Sequence, residues 1–277
     1  MNILSIQSEV VFGHVGNSAA RFALNRLGHT VWAVPSVLLS AHAGYPNVQG
    51  RISEVGEMAA LIDGLAANGW LDTCDGVLSG YLGAADQAAL VGETVSRIKR
   101  ANPRALYCLD PVFGDDGRAY AKAGVAEAMA RVLLPLADIV TPNAFELSSL
   151  TSIAVRGVDD ALEGARRLGR PCVLATSVPD AGRIGVLLYE KGEAWFAATE
   201  YFADAPHGAG DLLAALFAGH VLAGVAGPQA LARAVAAVFA VIAQSVTENS
   251  PELALVAAQG ALAGDDWQST VALRKIG

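Results

Sequence analysis

Short apolar runs alternate with amphipathic stretches along most of the chain, and each run stops at small or polar residues. Residues 2–7 read as a first, central strand. A turn through Gly13-His14-Val15-Gly16 follows, with Asn17 or Ser18 placed to cap a helix reaching about Leu27. Residues 30–35 form the next strand, and the irregular stretch 37–51, with Gly44, Pro46 and Gly50, reads as a small flap. A helix over 54–67 has Gly69 just beyond it, where a left-handed residue commonly ends a helix. Strands at 75–79, 106–109, 138–140 and 172–175 then alternate with helices at 85–100, 124–134, 144–150 and 159–168. Residues 184–189 and 193–198 look like an antiparallel pair turning at Lys191-Gly192. Long apolar helices extend from Asp211 to about Asn249, and a last helix is expected from Pro251. This order predicts an α/β fold: one three-layer α/β/α domain over residues 1–277, with a mostly parallel central sheet.

Composition sharpens the picture. Hydrophobic residues are 53% and charged residues 17% of 277, which excludes a disordered chain and implies thick buried layers. The net charge of −8 argues against nucleic acid or an anionic membrane as the main partner. Three cysteines with no CxxC spacing read as buried thiols. The uncharged run 212–231 contains His220 and Pro228 and reads as two buried helices broken at Gly227-Pro228, not a membrane span. The opening Met-Asn-Ile-Leu-Ser-Ile lacks a basic leader segment, so a cytoplasmic enzyme is expected. Among the histidines, His29 is expected at the surface and His220 in the core.

Ligands of such sheets bind beyond the carboxyl ends of the strands. Ser8, Asp110, Thr141-Pro142-Asn143 and Thr176-Ser177 all follow apolar strands and belong to that rim. The sharpest local signal is Gly208-Ala209-Gly210-Asp211 before an apolar helix. Small residues let backbone N–H groups approach a phosphate, the helix N-terminus adds partial positive charge, and an aspartate there could accept a hydroxyl proton. That same dipole is expected to keep Asp211 ionised and a weak base. Asp110, Asp115, Asp116 and Glu146 could hold Mg²⁺ beside a polyphosphate. There is no GxxxxGK[ST], HExxH or GxSxG, and no GxGxxG after a strand, which demotes P-loop, zincin, esterase and dehydrogenase chemistry.

Ile6-Gln7-Ser8-Glu9-Val10-Val11-Phe12-Gly13-His14-Val15-Gly16-Asn17-Ser18-Ala19-Ala20 resembles the opening of the pyridoxal kinase group of ribokinase-like enzymes. Ser79-Gly80-Tyr81-Leu82-Gly83, Asp110-Pro111-Val112-Phe113-Gly114-Asp115, Thr141-Pro142-Asn143 with Glu146, Gly208-Ala209-Gly210-Asp211, and the run from Glu252 to Gln259 fit the same family in order. The resemblance implies ATP-dependent phosphorylation of the 5′-hydroxymethyl group of pyridoxal by a Mg²⁺-dependent homodimer, with K⁺ as an assisting ion. It implies Asp211 as base, with Gly208, Ala209 and Gly210 forming the anion hole. Ser8, Gly44, Tyr81 and Tyr120 would meet the acceptor, and Asp110, Thr141, Glu146, Thr176 and Ser177 would meet ATP. Asp110, Asp115 and Glu146 would form the metal side.

The chain departs from the family where Ser-Asn-His-Thr is usual: it has Ser40-Ala41-His42-Ala43, so a threonine hydroxyl is missing at Ala43. The segment 200–207 is short and acidic, which implies a reduced ATP lid. Two alternatives stay open at this point: a hydroxymethylpyrimidine or related small-alcohol kinase of the same fold, and a non-catalytic pyridoxal-binding protein.

Overall fold

The computed structural model describes residues 1–115, 117–264 and 268–276. Asp116 lies outside them. In chain order the elements are β1 (Asn2–Val10), α1 (Asn17–Arg26), β2 (Thr30–Leu39), β3 (Gly50–Ile52), α2 (Val55–Ala67), β4 (Gly76–Ser79), α3 (Gln87–Ala101) and β5 (Leu106–Leu109). A two-strand ribbon, β6 (Gly114–Asp115) and β7 (Arg118–Ala119), leads to α4 (Val125–Ala128), β8 (Ile139–Val140), α5 (Ala144–Thr151) and α6 (Val158–Leu168). The chain closes with β9 (Cys172–Asp180), β10 (Arg183–Glu190), β11 (Glu193–Thr199), α7 (Ala209–Leu222), α8 (Gly227–Thr247), α9 (Gln259–Leu262) and β12 (Ala272–Ile276).

Ten strands form one sheet in the order β12-β11-β10-β9-β8-β5-β4-β1-β2-β3. The strands from β9 to β2 in that list are parallel, and the strands beyond them at both edges pair antiparallel. Alternation within each parallel strand sends neighbouring residues to opposite faces. Ile3, Leu78, Cys108 and Ile139 pack with α1, α7 and α8 on one face. Leu4, Val77, Tyr107 and Val140 pack with α2, α3 and α4 on the other. Helices α5 and α6 cover the β9–β11 end of that second face through Leu147, Ala161, Leu162 and Ala165. The result is a single three-layer α/β domain, as the alternation predicts.

After β1 the chain crosses one face through α1 to β2, then returns on the other face through α2 to β4. The order therefore reverses between β1 and β4, and the crevice at their carboxyl ends is where ligands bind in such folds.

Several details differ from the sequence reading. Strand β2 continues past Pro35 to Leu39, because the Val11 and Phe12 N–H groups donate to the Leu39 and Ser40 carbonyls and extend the β1 pairing. Only 40–49 of the 37–51 segment is irregular. Asn17 does not cap α1; its buried amide donates to the Gln7 and Val34 carbonyls and ties β1 to β2. The chain after Pro251 is mostly turn, with a short helix only at Gln259–Leu262, since Leu253 and Leu255 are pulled singly into the core. Strand β12 has no apolar alternation to announce it. His29 is 7% exposed, with a ring nitrogen 3.1 Å from the Gly219 carbonyl, so it belongs to the core and not the surface. Helix α8 is long and apolar enough to cross a membrane, yet it packs along α7, β10 and β11 as a core helix.

Candidate active site

The carboxyl ends of β5, β8 and β9 and the start of α7 enclose a cavity of about 590 Å³. Asp110 leaves β5 just as the strand ends, and Thr141 leaves β8 beside it. The Thr141 hydroxyl donates to Asp110 Oδ1 at 2.6 Å. Asp110 is 5% exposed; burial, together with the Asp211 charge, raises its carboxyl to about 7 despite the Thr141 bond. In metal-free protein that sign has a consequence. Unfolded Asp110 ionises near pH 4 and folded Asp110 near 7, so its contribution is fully present below about pH 4 and is lost as pH rises toward 7. Asp110→Asn should therefore raise Tm by several degrees at pH 8 in chelator and by little at pH 4.5. Equal shifts at the two pH values would remove this reading.

Glu146 sits at the third position of α5 in a reciprocal capping box with Asn143. Its Oε2 accepts the Asn143 N–H at 2.9 Å, while Oε1 accepts the Phe113 N–H at 3.0 Å and the Gly114 N–H at 3.4 Å. Burial, then the Asp110 charge, hold its carboxyl well above the usual range in spite of these donors. Glu146 therefore fastens the β5–β6 segment onto α5 as well as facing the cavity, a structural duty that the motif does not reveal.

At the far side, Gly208 is the residue before α7, with φ +97°. A Cβ there would collide with the His14 carbonyl, so glycine is required for the turn to sit this close to the β1–α1 turn. The space around Gly210 is open, which leaves its backbone approachable from the cavity. Asp211 accepts a hydrogen bond from the Gly16 N–H, and enclosure raises its carboxyl to about 6. The sequence reading expected the helix dipole to keep Asp211 a weak base. Desolvation outweighs the dipole and the Gly16 bond here, and Asp211 is a stronger base than expected.

Asp115, on the β6–β7 ribbon, and Tyr120 line the same cavity, as do Thr176, Ser177 and Ala209. The phenol of half-exposed Tyr120 is raised by desolvation and then by the Glu146, Asp211, Asp110 and Asp115 charges. Ser177 adopts φ +55° in β9, beside Asn143–Thr176 bridging. The outer end is apolar: Val235, Val238, Phe239 and Ile242 of α8, with Phe202 packed 5.5 Å from Phe239. These residues carry no motif, although their spacing of three and four marks one helix face.

Ser8, Ala43, Gly44 and Tyr81 do not line this cavity. Ser8 does not follow β1, which runs on to Val10; it sits within the strand where the pairing with β2 shifts between Gln7 and Glu9. Tyr81 follows β4, and Ser8 packs against Gly16, the donor to Asp211. Ala43 and Gly44 are exposed on the 40–49 loop, with Gly44 against the His42 and His207 rings. Asp211 thus stands between the cavity and the Ser8–Gly16 turn.

Among the described residues, no lysine or arginine lines the cavity, while Asp110, Asp115, Glu146, Glu200 and Asp211 do. A polyphosphate there would rely on backbone N–H groups, the hydroxyls of Thr141, Thr176 and Ser177, and added cations. Oxygen donors alone suit a hard cation such as Mg²⁺. No group of three or more such side chains is close enough among the described residues to hold a metal by itself, so phosphate and water would complete the shell.

The chain is 41% identical over 271 residues to the pyridoxal kinase of Rubrobacter xylanophilus, covering 95% of this chain and 93% of that protein. It is 43% identical over 273 residues to that of Deinococcus radiodurans, covering 94% and 92%. This chain belongs to the pyridoxal kinase family. It is an ATP-dependent kinase acting on an alcohol group. Residues 72–253 also match the phosphomethylpyrimidine kinase family. The fold of this kinase superposes on pyridoxal kinase from Leishmania donovani in complex with ADP and pyridoxamine, with TM-score 0.92, 31% identity and coverage of 100% and 99%. Pyridoxal kinase from Entamoeba histolytica gives TM-score 0.92 at 26% identity, covering 99% of each chain. The ribokinase-like fold expected from the sequence is the one observed.

Proposed function

We propose that this kinase transfers the γ-phosphoryl group of ATP to the 5′-hydroxymethyl oxygen of pyridoxal, giving pyridoxal 5′-phosphate and ADP. The observation that carries the reading is the place of Asp211, between the nucleotide-sized cavity and the Ser8–Gly16 turn. The 5′-hydroxyl donates to Asp211, which orients the oxygen in line and takes its proton as the bond to phosphorus forms. Backbone N–H groups of Gly208, Ala209 and Gly210 hold the charge on the transferred group. Ser8, Gly44, Tyr81 and Tyr120 surround the acceptor; at Ala43 a methyl stands in place of a gripping hydroxyl.

Thr176 and Ser177 with Thr141 hold the phosphate tail, and the α8 face at Phe239 takes the base. Asp110, Asp115 and Glu146 would hold Mg²⁺, which when bound neutralises phosphate charge that no lysine or arginine among the described lining residues can meet; K⁺ as an assisting ion belongs to the same proposal. So do cytoplasmic residence and a homodimer, the latter supported by exposed Val11, Phe12 and Leu38 beside the edge strand β3. Sedimentation at monomer mass would remove the dimer.

The second reading is a hydroxymethylpyrimidine kinase, favoured by the family match over 72–253. That match leaves out the 6–17 segment and the 40–49 loop, whereas the pyridoxal kinase relatives cover 94–95% of the chain. An ATP-coupled assay offering pyridoxal, pyridoxamine, pyridoxine and hydroxymethylpyrimidine separates the two. Pyridoxal should have the highest kcat/KM, and a preference for the pyrimidine would reverse the assignment.

A further inference from the structure

Glu252 does not line the nucleotide cavity and has no part in the chemistry above, yet it is 7% exposed and accepts from three separate donors. Its Oε2 accepts the His14 N–H at 3.0 Å. Its Oε1 accepts the Tyr45 hydroxyl at 2.8 Å and lies 3.2 Å from His42 Nε2. The Gly44 N–H donates to His42 Nδ1 at 3.1 Å, so the neutral ring carries its proton on Nε2 and donates it to Glu252. Burial of His42 lowers its pKa and favours that neutral form. The fit is close: a Cβ on Gly13 would run into the Glu252 carboxylate.

These bonds join the irregular 40–49 loop to the β1–α1 turn through one carboxylate. The joint also meets the anion-hole turn. The His42 ring is 4.6 Å from the ring of His207, the residue before Gly208, and Gly208 itself abuts the His14 carbonyl and Leu253. The base of the loop is pinned by Ser40–Gln49 hydrogen bonds and buried Ala41, but its tip, with Ala43, Gly44, Pro46 and Asn47 exposed, is held to the β1–α1 turn through Glu252. Tyr45 adds an edge contact with the half-exposed Phe12 at 5.9 Å.

We propose that Glu252 is a positioning residue for the acceptor: it latches the 40–49 loop against the Gly208 turn and thereby sets acceptor affinity, leaving nucleotide binding and the proton transfer alone. The proposal rests on the placement of the acceptor between Ser8 and that loop. Glutamine at 252 keeps the size but turns an N–H₂ group toward donors, which breaks part of the latch.

The test compares wild type, Glu252→Gln, Tyr45→Phe and the double variant, using whichever alcohol the wild type phosphorylates best in the four-acceptor panel. The acceptor identity and the latch are thus judged separately. Glu252→Gln should raise acceptor KM roughly tenfold, with ATP KM and kcat within about twofold. Tyr45→Phe should raise acceptor KM by a smaller factor, and the double variant should match Glu252→Gln alone because both act through one carboxylate. An unchanged acceptor KM in both single variants overturns the proposal. So do ATP and acceptor KM rising together with a lower Tm, or multiplicative effects in the double variant. If Glu252→Gln fails to fold, Tyr45→Phe on the surface of the loop decides alone by its acceptor KM.

Discussion

Asp211→Asn should lower kcat by about 10²–10⁴-fold, the usual contribution of a positioned general base, while the fold survives. The asparagine oxygen can still accept the Gly16 N–H, so the link between α7 and the β1–α1 turn persists. ATP and acceptor KM should change only a few-fold. The wild-type pH profile carries the same signature. Asp211 is raised to about 6 by enclosure, so it is the free base above that pH and takes up a proton below it. Turnover should accordingly fall as pH drops through about 6, and the asparagine variant should lack that limb. Near-normal turnover in Asp211→Asn, with lower Tm, would assign the residue to helix capping and place the base elsewhere.

Glu146→Ala should be costly to the fold itself. Three backbone N–H groups, of Asn143, Phe113 and Gly114, lose their acceptor, and α5 loses half of its capping box. Relief of a buried charge close to Asp110 offsets part of this. A net loss of roughly 2–4 kcal/mol is expected, a Tm drop on the order of 5–10 °C. Activity should fall as well, because the loosened segment carries Asp110, Asp115 and Tyr120 into the cavity. Differential scanning calorimetry and a Mg²⁺ titration together separate the two duties. An unchanged Tm with a raised Mg²⁺ requirement would leave Glu146 only its cation-facing role.

The contrast between Asp110 and Asp211 on one side and Glu252 on the other marks how far residue patterns reach. Asp110 and Asp211 follow a strand end and a glycine turn, positions that an α/β pattern makes conspicuous. Glu252 follows an ordinary helix end, and its importance depends on partners 207 to 238 residues away in the chain. The family-like run from Glu252 to Gln259 includes it, but its neighbours in sequence do not say what it holds. The apolar slot at Val235, Val238 and Phe239 is similarly silent, since an apolar helix face looks the same whether it meets a sheet or a ligand.

What the amino-acid sequence determined by itself is local and periodic. Apolar runs with alternating helices dictate the parallel sheet and its two covered faces, because each side chain's direction follows from backbone geometry within a few residues. The glycine turn before α7 and the polar residues after β5 and β8 mark the rim for the same reason, whereas β9 runs through Thr176-Ser177 to Asp180 instead of stopping before them. Only the tertiary structure decided the protonation tendencies and the joints. The Asp211 carboxyl rises instead of falling because surrounding elements remove water from it, which no neighbour in sequence reports. Strand β12 forms because β11 offers an unpaired edge, Asn17 bonds across β1 and β2 instead of capping its helix, and His29 is buried by Gly219 of a distant helix. Desolvation and pairing are properties of what the fold brings near, and they exist only once it has closed.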